Sequence, residues 1–108
     1  MTRCILFRDA EGRYTGFEVK GHSGYAEAGS DIVCAAVSAL VINFVNSLDE
    51  LTDDHYQIDV NQEDAEIDVV FTEELSEEGS LLLRSLILGL TSVEEEHGQY
   101  LDVIFKEV

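Results

Sequence analysis

The chain has 108 residues, 45% of them hydrophobic, which suits one compact domain over residues 1–108 with a modest core and argues against disorder. Its 23 Asp and Glu against 6 Lys and Arg leave a formal net charge of −17. That balance excludes a protein built to grip nucleic-acid phosphates, which need basic side chains to displace counterions. It selects basic partners, or serves solubility or a salt-rich cell, and composition leaves these readings open.

In chain order, residues 4–8 and Tyr14–Lys20 alternate and carry Ile, Phe, Tyr and Val around a turn-like Asp9-Ala10-Glu11-Gly12. This pattern predicts a β-hairpin. The apolar run from Cys4 to Phe7 is short and is ended by Arg8 and Asp9, unlike a secretory signal. Residues 21–30, with three glycines and no hydrophobic period, predict a loop. A helix is expected from Asp31, a good N-cap residue. Its buried stripe is Val33, Val37, Leu40, Val41, Phe44, Leu48 and Leu51. The apolar-rich stretch 32–45 contains Ser38 and Asn43 and falls short of the ~20 residues of a membrane span, so no membrane partner is expected.

Tyr56–Asn61 and residues 66–72 predict a second hairpin about Gln62-Glu63-Asp64, with Ile58, Val60, Ile67 and Val69 able to share one side. Ser76 is placed to cap a second helix, with Glu77 and Glu78 suited to its N-terminal dipole. That helix carries Leu81, Leu82, Leu83, Leu86, Ile87, Leu90 and Val93 and stops near Gly98, and residues 100–105 form a last strand. The order ββαββαβ predicts an α+β, two-layer domain in which an antiparallel-rich sheet packs with two helices. Strand order is not readable from this pattern.

Cys4 and Cys34 are too few for a disulfide framework, and both are expected as thiols in a reducing cytoplasm. With Asp31 as cap, Cys34 takes the third helical position, where free N–H groups and the helix dipole favour a thiolate and could hold an oxyanion. Asp31 and Ser38, three residues before and four after, share its side of the helix. His22 precedes a glycine-rich loop that returns the chain to Cys34, an order that suits a Cys–His dyad. Against this, cysteine is commonly a core residue and histidine beside glycines commonly a surface one. Core packing is the better reading for Cys4. His55 and His97 lie in polar stretches, and no ligand spacing supports zinc at Cys4, Cys34 and histidines.

The segment GHSGYAEAGSDIVCAAVSAL, residues 21–40, resembles the signature of the bacterial ribosomal-processing cysteine protease family, Prp. The specific parts are Gly21-His22 with Gly24-Tyr25, and Asp31 through Ser38. The resemblance implies a small α/β sandwich, a homodimer, and a thiol protease (a hydrolase of ribosome biogenesis) without cofactor or metal. It implies removal of an N-terminal extension from a ribosomal protein, the large-subunit protein numbered twenty-seven. His22 is then the base and Cys34 the nucleophile, supported by Asp31 and Ser38. Gly21, Gly24, Tyr25 and Gly29 belong to a substrate loop expected to move. For Asp31, orienting His22 and merely capping the helix both remain open. The rival functions are a non-enzymatic acidic ribosome-associated binding module and a small acyl-transfer enzyme such as a thioesterase.

Overall fold

The computed structural model of the chain describes residues 1–21 and 28–108, with residues 28–30 described by their backbone alone. The elements follow the expected order: β1 (Thr2–Arg8), β2 (Tyr14–Lys20), α1 (Ala28–Leu51), β3 (Tyr56–Asn61), β4 (Glu66–Phe71), α2 (Glu77–His97) and β5 (Leu101–Glu107). The Asp9 carboxylate turns the first hairpin by accepting the N–H groups of Glu11 and Arg13, at 2.9 and 3.0 Å. Gly12 follows with a φ of 81°, a conformation that costs glycine little. In the second hairpin, Asn61 and Asp64 exchange two hydrogen bonds, and Ala65 takes a φ of 50°.

The sheet order is β3-β4-β2-β1-β5. Three pairings are antiparallel, and β5 runs parallel to β1. The sheet is thus mixed and antiparallel-rich. The α2 crossover carries the chain from β4 across β2 and β1 to the far edge, as a parallel neighbour requires.

Strand alternation sends Cys4, Leu6, Phe17, Val19, Val69, Phe71 and Leu101 to one face. Both helices cover that face. From α1 come Val33, Val37, Val41, Phe44 and Leu48, and from α2 Leu83, Leu86 and Leu90. Each such side chain contributes about 1.5–3 kcal/mol by leaving water. Phe17, Phe44 and Phe71 meet edge to face with ring centroids 5.6–6.3 Å apart.

One packing expectation is corrected. Leu51, expected in the buried stripe, is 70% exposed as the last residue of α1. Leu81 and Leu88 stay exposed on α2, whose stretch from Leu81 to Leu90 holds more apolar residues than one helix face can bury. Ile58 and Val60 do share a side with Val69 and Ile67, their register partners, yet both are exposed because β3 is an edge strand. The apolar segment is also longer than expected. Residues 31–51 form a helix long and apolar enough, by length and composition, to cross a membrane. In this fold its stripe from Val33 to Leu48 is instead closed against the sheet.

Candidate active site

α1 begins at Ala28, three residues before the expected cap. Asp31 is therefore an exposed residue of the first turn and not the N-cap. Cys34 becomes the seventh helical residue instead of the third. In the second turn a backbone N–H is bonded to the carbonyl four residues back, so that of Cys34 is not a free oxyanion donor. The dipole contribution also fades beyond the first turn. Gly29 lies within α1 and not in a loop. His22, Gly24 and Tyr25 lie outside the described residues.

Cys34 is a half-buried free thiol. Its side chain opens on a cavity of about 290 Å³. The floor crosses the sheet through Thr2, Val19, Ile67 and Val60, and the wall is Cys34, Val37 and Ser38 of α1. Ser38 thus lies beside Cys34 as its spacing predicted. Gly21 reaches the same cavity, and its N–H donates to the Ala65 carbonyl at 2.9 Å. The 62–65 turn therefore anchors the residue from which the segment containing His22 departs.

One contact was not legible in the sequence. Thr2 Oγ1 lies 3.2 Å from Cys34 Sγ, across 32 residues of chain. Thr2 is 2% exposed and is the buried polar side chain among the described residues. No local pattern marks it, because a threonine near the start of a strand is unexceptional.

The other thiol is different in kind. Cys4 sits in the centre of the core on β1. Burial first, and the nearby Glu94 charge second, push its pKa up to about 12. It is a protonated packing group, as the sequence suggested. His55 is exposed, and His97 lines a hollow with Ile32 and Val33 on another side of α1. Among the described residues, the one group with metal-like spacing is Glu18, Glu66 and Asp68 on the sheet face opposite the helices. Lys20 already pairs with Glu18 at 3.0 Å and with Glu66 at 3.7 Å. Its hydrogen bond holds the Glu18 carboxyl below the usual range, whereas the contact with Glu18 raises Glu66. A larger hollow of about 400 Å³ lies at the other end of the sheet, around Arg13, Tyr14 and Glu74. It contains neither cysteine, so the chemistry selects the smaller cavity.

A two-layer α/β domain with an accessible thiol on a core helix, facing a cleft, has the equipment of a cysteine-dependent enzyme. The Ribosomal processing cysteine protease Prp of Bacillus subtilis (strain 168) is 29% identical over 107 residues, covering 95% of this chain and 96% of that protein. Two crystal structures of an essential ribosomal processing protease Prp from S. aureus are also similar. One, in complex with a substrate peptide, has a TM-score of 0.92 at 25% identity, covering 98% of this chain and 100% of that one. The other, with a covalently linked product peptide, has a TM-score of 0.87 at 26% identity with the same coverage. The family described as Cysteine protease Prp matches residues 1–102, and the chain belongs to it. It is a cysteine protease with an α+β fold of element order ββαββαβ.

Proposed function

We propose that the chain removes the N-terminal extension of a large-subunit ribosomal protein, the one numbered twenty-seven, through a dyad of Cys34 and His22. The observation that carries this reading is the contrast between the two thiols. Cys34 opens on a cleft, whereas Cys4 is sealed in the core. The names of the relatives supply the ribosomal substrate class. A net charge of −17 suits a basic protein tail and repels nucleic-acid phosphates. Two free cysteines suit a reducing, cytoplasmic setting.

His22 takes the proton of the Cys34 thiol, and the thiolate attacks the scissile carbonyl carbon. The tetrahedral intermediate collapses to a thioester as His22 returns the proton to the departing amine. Water, deprotonated by His22, then releases the new carboxylate and regenerates the thiol. The covalently linked product peptide of the S. aureus relative is in keeping with such a thioester route. The oxyanion requires donors other than the N–H of Cys34, which the helix uses. The working unit is a homodimer in this reading. The exposed Leu81 and Leu88 of α2 belong to the surface it would cover. Light scattering at micromolar concentration should then give twice the chain mass.

The test is incubation with the extended ribosomal protein, followed by mass spectrometry. Wild type should trim the extension, and Cys34→Ala and His22→Ala should leave it intact. Retention of even about a tenth of the rate by Cys34→Ala would remove Cys34 as nucleophile.

A further inference from the structure

We infer that Thr2 is a positioning residue for Cys34: its buried hydroxyl donates a hydrogen bond to the ionised sulfur and holds it toward the cleft. The inference rests on the reading of Cys34 as nucleophile. The start of α1 removes the usual source of thiolate support. Cys34 lies in the second turn, past the free N–H groups and past most of the dipole effect. What the fold offers in their place is Thr2 Oγ1 at 3.2 Å. Either atom can donate while the sulfur is a thiol. Once it is a thiolate, only the hydroxyl can, and a bond to a charged acceptor is the stronger kind. A rotation of the hydroxyl hydrogen is all that the change requires.

The oxygen is well anchored. The Thr2 N–H donates to the Tyr100 carbonyl at 2.9 Å, and β1 lies between β2 and β5. The bland alternative is a hydroxyl that merely satisfies itself on a nearby sulfur. Valine would fill the same volume on a strand without a polar group to desolvate, so a buried threonine here has a cost that packing does not explain. Among the described residues, few charges compete at the sulfur. Asp31 stands one turn back on α1 and is exposed. Glu66 of β4 borders the cleft with its carboxylate engaged by Lys20. The α-amino group of Met1 adjoins Thr2 in the chain. From α2, Glu96 and His97 face the hollow at Ile32, Val33 and Ala36. All of these stay the same when Thr2 alone is changed.

The test is the rate of Cys34 alkylation by iodoacetamide as a function of pH, in the full chain, read by mass spectrometry. Thr2→Val keeps the shape and loses the donor, and Thr2→Ala is measured beside it so that the result does not hang on one variant folding. Both should react at least about tenfold more slowly than wild type at pH 7, the factor expected for one hydrogen bond to a charged group. Both should reach the wild-type rate at alkaline pH, where the sulfur ionises without help. Thr2→Ser should follow wild type throughout. Superimposed Val and wild-type profiles overturn the inference. So does a deficit of equal size at every pH, which reports access and not ionisation. If the profiles shift as expected but wild type cleaves no extended ribosomal protein, the substrate reading falls and the Thr2 role stands. If wild type cleaves and the profiles coincide, the Thr2 role falls alone.

Discussion

The carboxylate of Asp54 accepts the Ser76 N–H at 3.1 Å and the Ser76 hydroxyl at 2.8 Å, while that hydroxyl oxygen receives the Gly79 N–H at 3.0 Å. The connection after α1 thereby holds the N-terminus of α2. A Cβ at Gly79 would run into the same carboxylate and lie 3.2 Å from Leu48 Cδ1. Asp54→Ala and Gly79→Ala should each lower stability by about 1–3 kcal/mol, one by loss of the cap partner and one by overpacking. In the double variant the methyl occupies space the carboxylate has left, so the loss should fall short of the sum by about 1 kcal/mol. Urea unfolding of the four proteins measures this. Simple additivity would show that the two positions do not share the space.

Cys4 makes stability sensitive to high pH. In the folded chain its thiol is raised from the usual 9.0 to about 12, chiefly by burial. Between those values the unfolded chain has released the proton and the folded chain has kept it. The contribution is therefore fully present below pH 9 and lost as pH rises toward 12, at about 1.4 kcal/mol per pH unit at most. Cys4→Val should unfold with a shallower decline over that window, and the difference between the two denaturation curves isolates the thiol from other titrating groups. Parallel curves would contradict the shift. At neutral pH, brief alkylation of the native protein should label Cys34 and spare Cys4.

Two glycines should respond oppositely to alanine. A Cβ at Gly16 on β2 would collide with the Val69 carbonyl oxygen of β4, a backbone atom that cannot rotate away. At Gly21 it would meet only Ala65, at 3.8 Å or more, which is ordinary contact. Gly16→Ala should cost about 1–3 kcal/mol, and Gly21→Ala should stay within about 0.5 kcal/mol of wild type. Thermal unfolding of both variants decides, and a destabilised Gly21→Ala would point to a backbone demand beyond the space around it.

Phe44 joins α1 to the sheet through Phe17 and Phe71. Phe44→Ala should cost about 3–5 kcal/mol, and Phe44→Leu clearly less, because leucine refills part of the cavity. Chemical denaturation gives both values. A loss under about 1 kcal/mol for alanine would mean that the aromatic cluster is not a fastening of the two layers.

The elements were legible because their causes are local. Alternation marked β1 to β4, and Ser76 with Glu77 and Glu78 marked the start of α2. The start of α1 was misplaced for a physical reason. Gly29 is a poor helix former and Asp31 a good cap, so local preference favours a start at Asp31. Adding a turn to a formed helix is far easier than starting one, and the long packed stripe from Val33 to Leu48 makes α1 stable enough to extend through Gly29.

By itself, the sequence determined the element order, the α+β class and a short set of chemical candidates with Cys34 among them. These depend on periodicity, caps and side-chain chemistry within a few residues. The tertiary structure decided the strand order, the parallel placement of β5 beside β1, and the unequal fates of the two thiols. It also decided that Thr2 meets Cys34. Those outcomes depend on which distant segments share a core, and long-range packing leaves no mark in the local pattern of the chain.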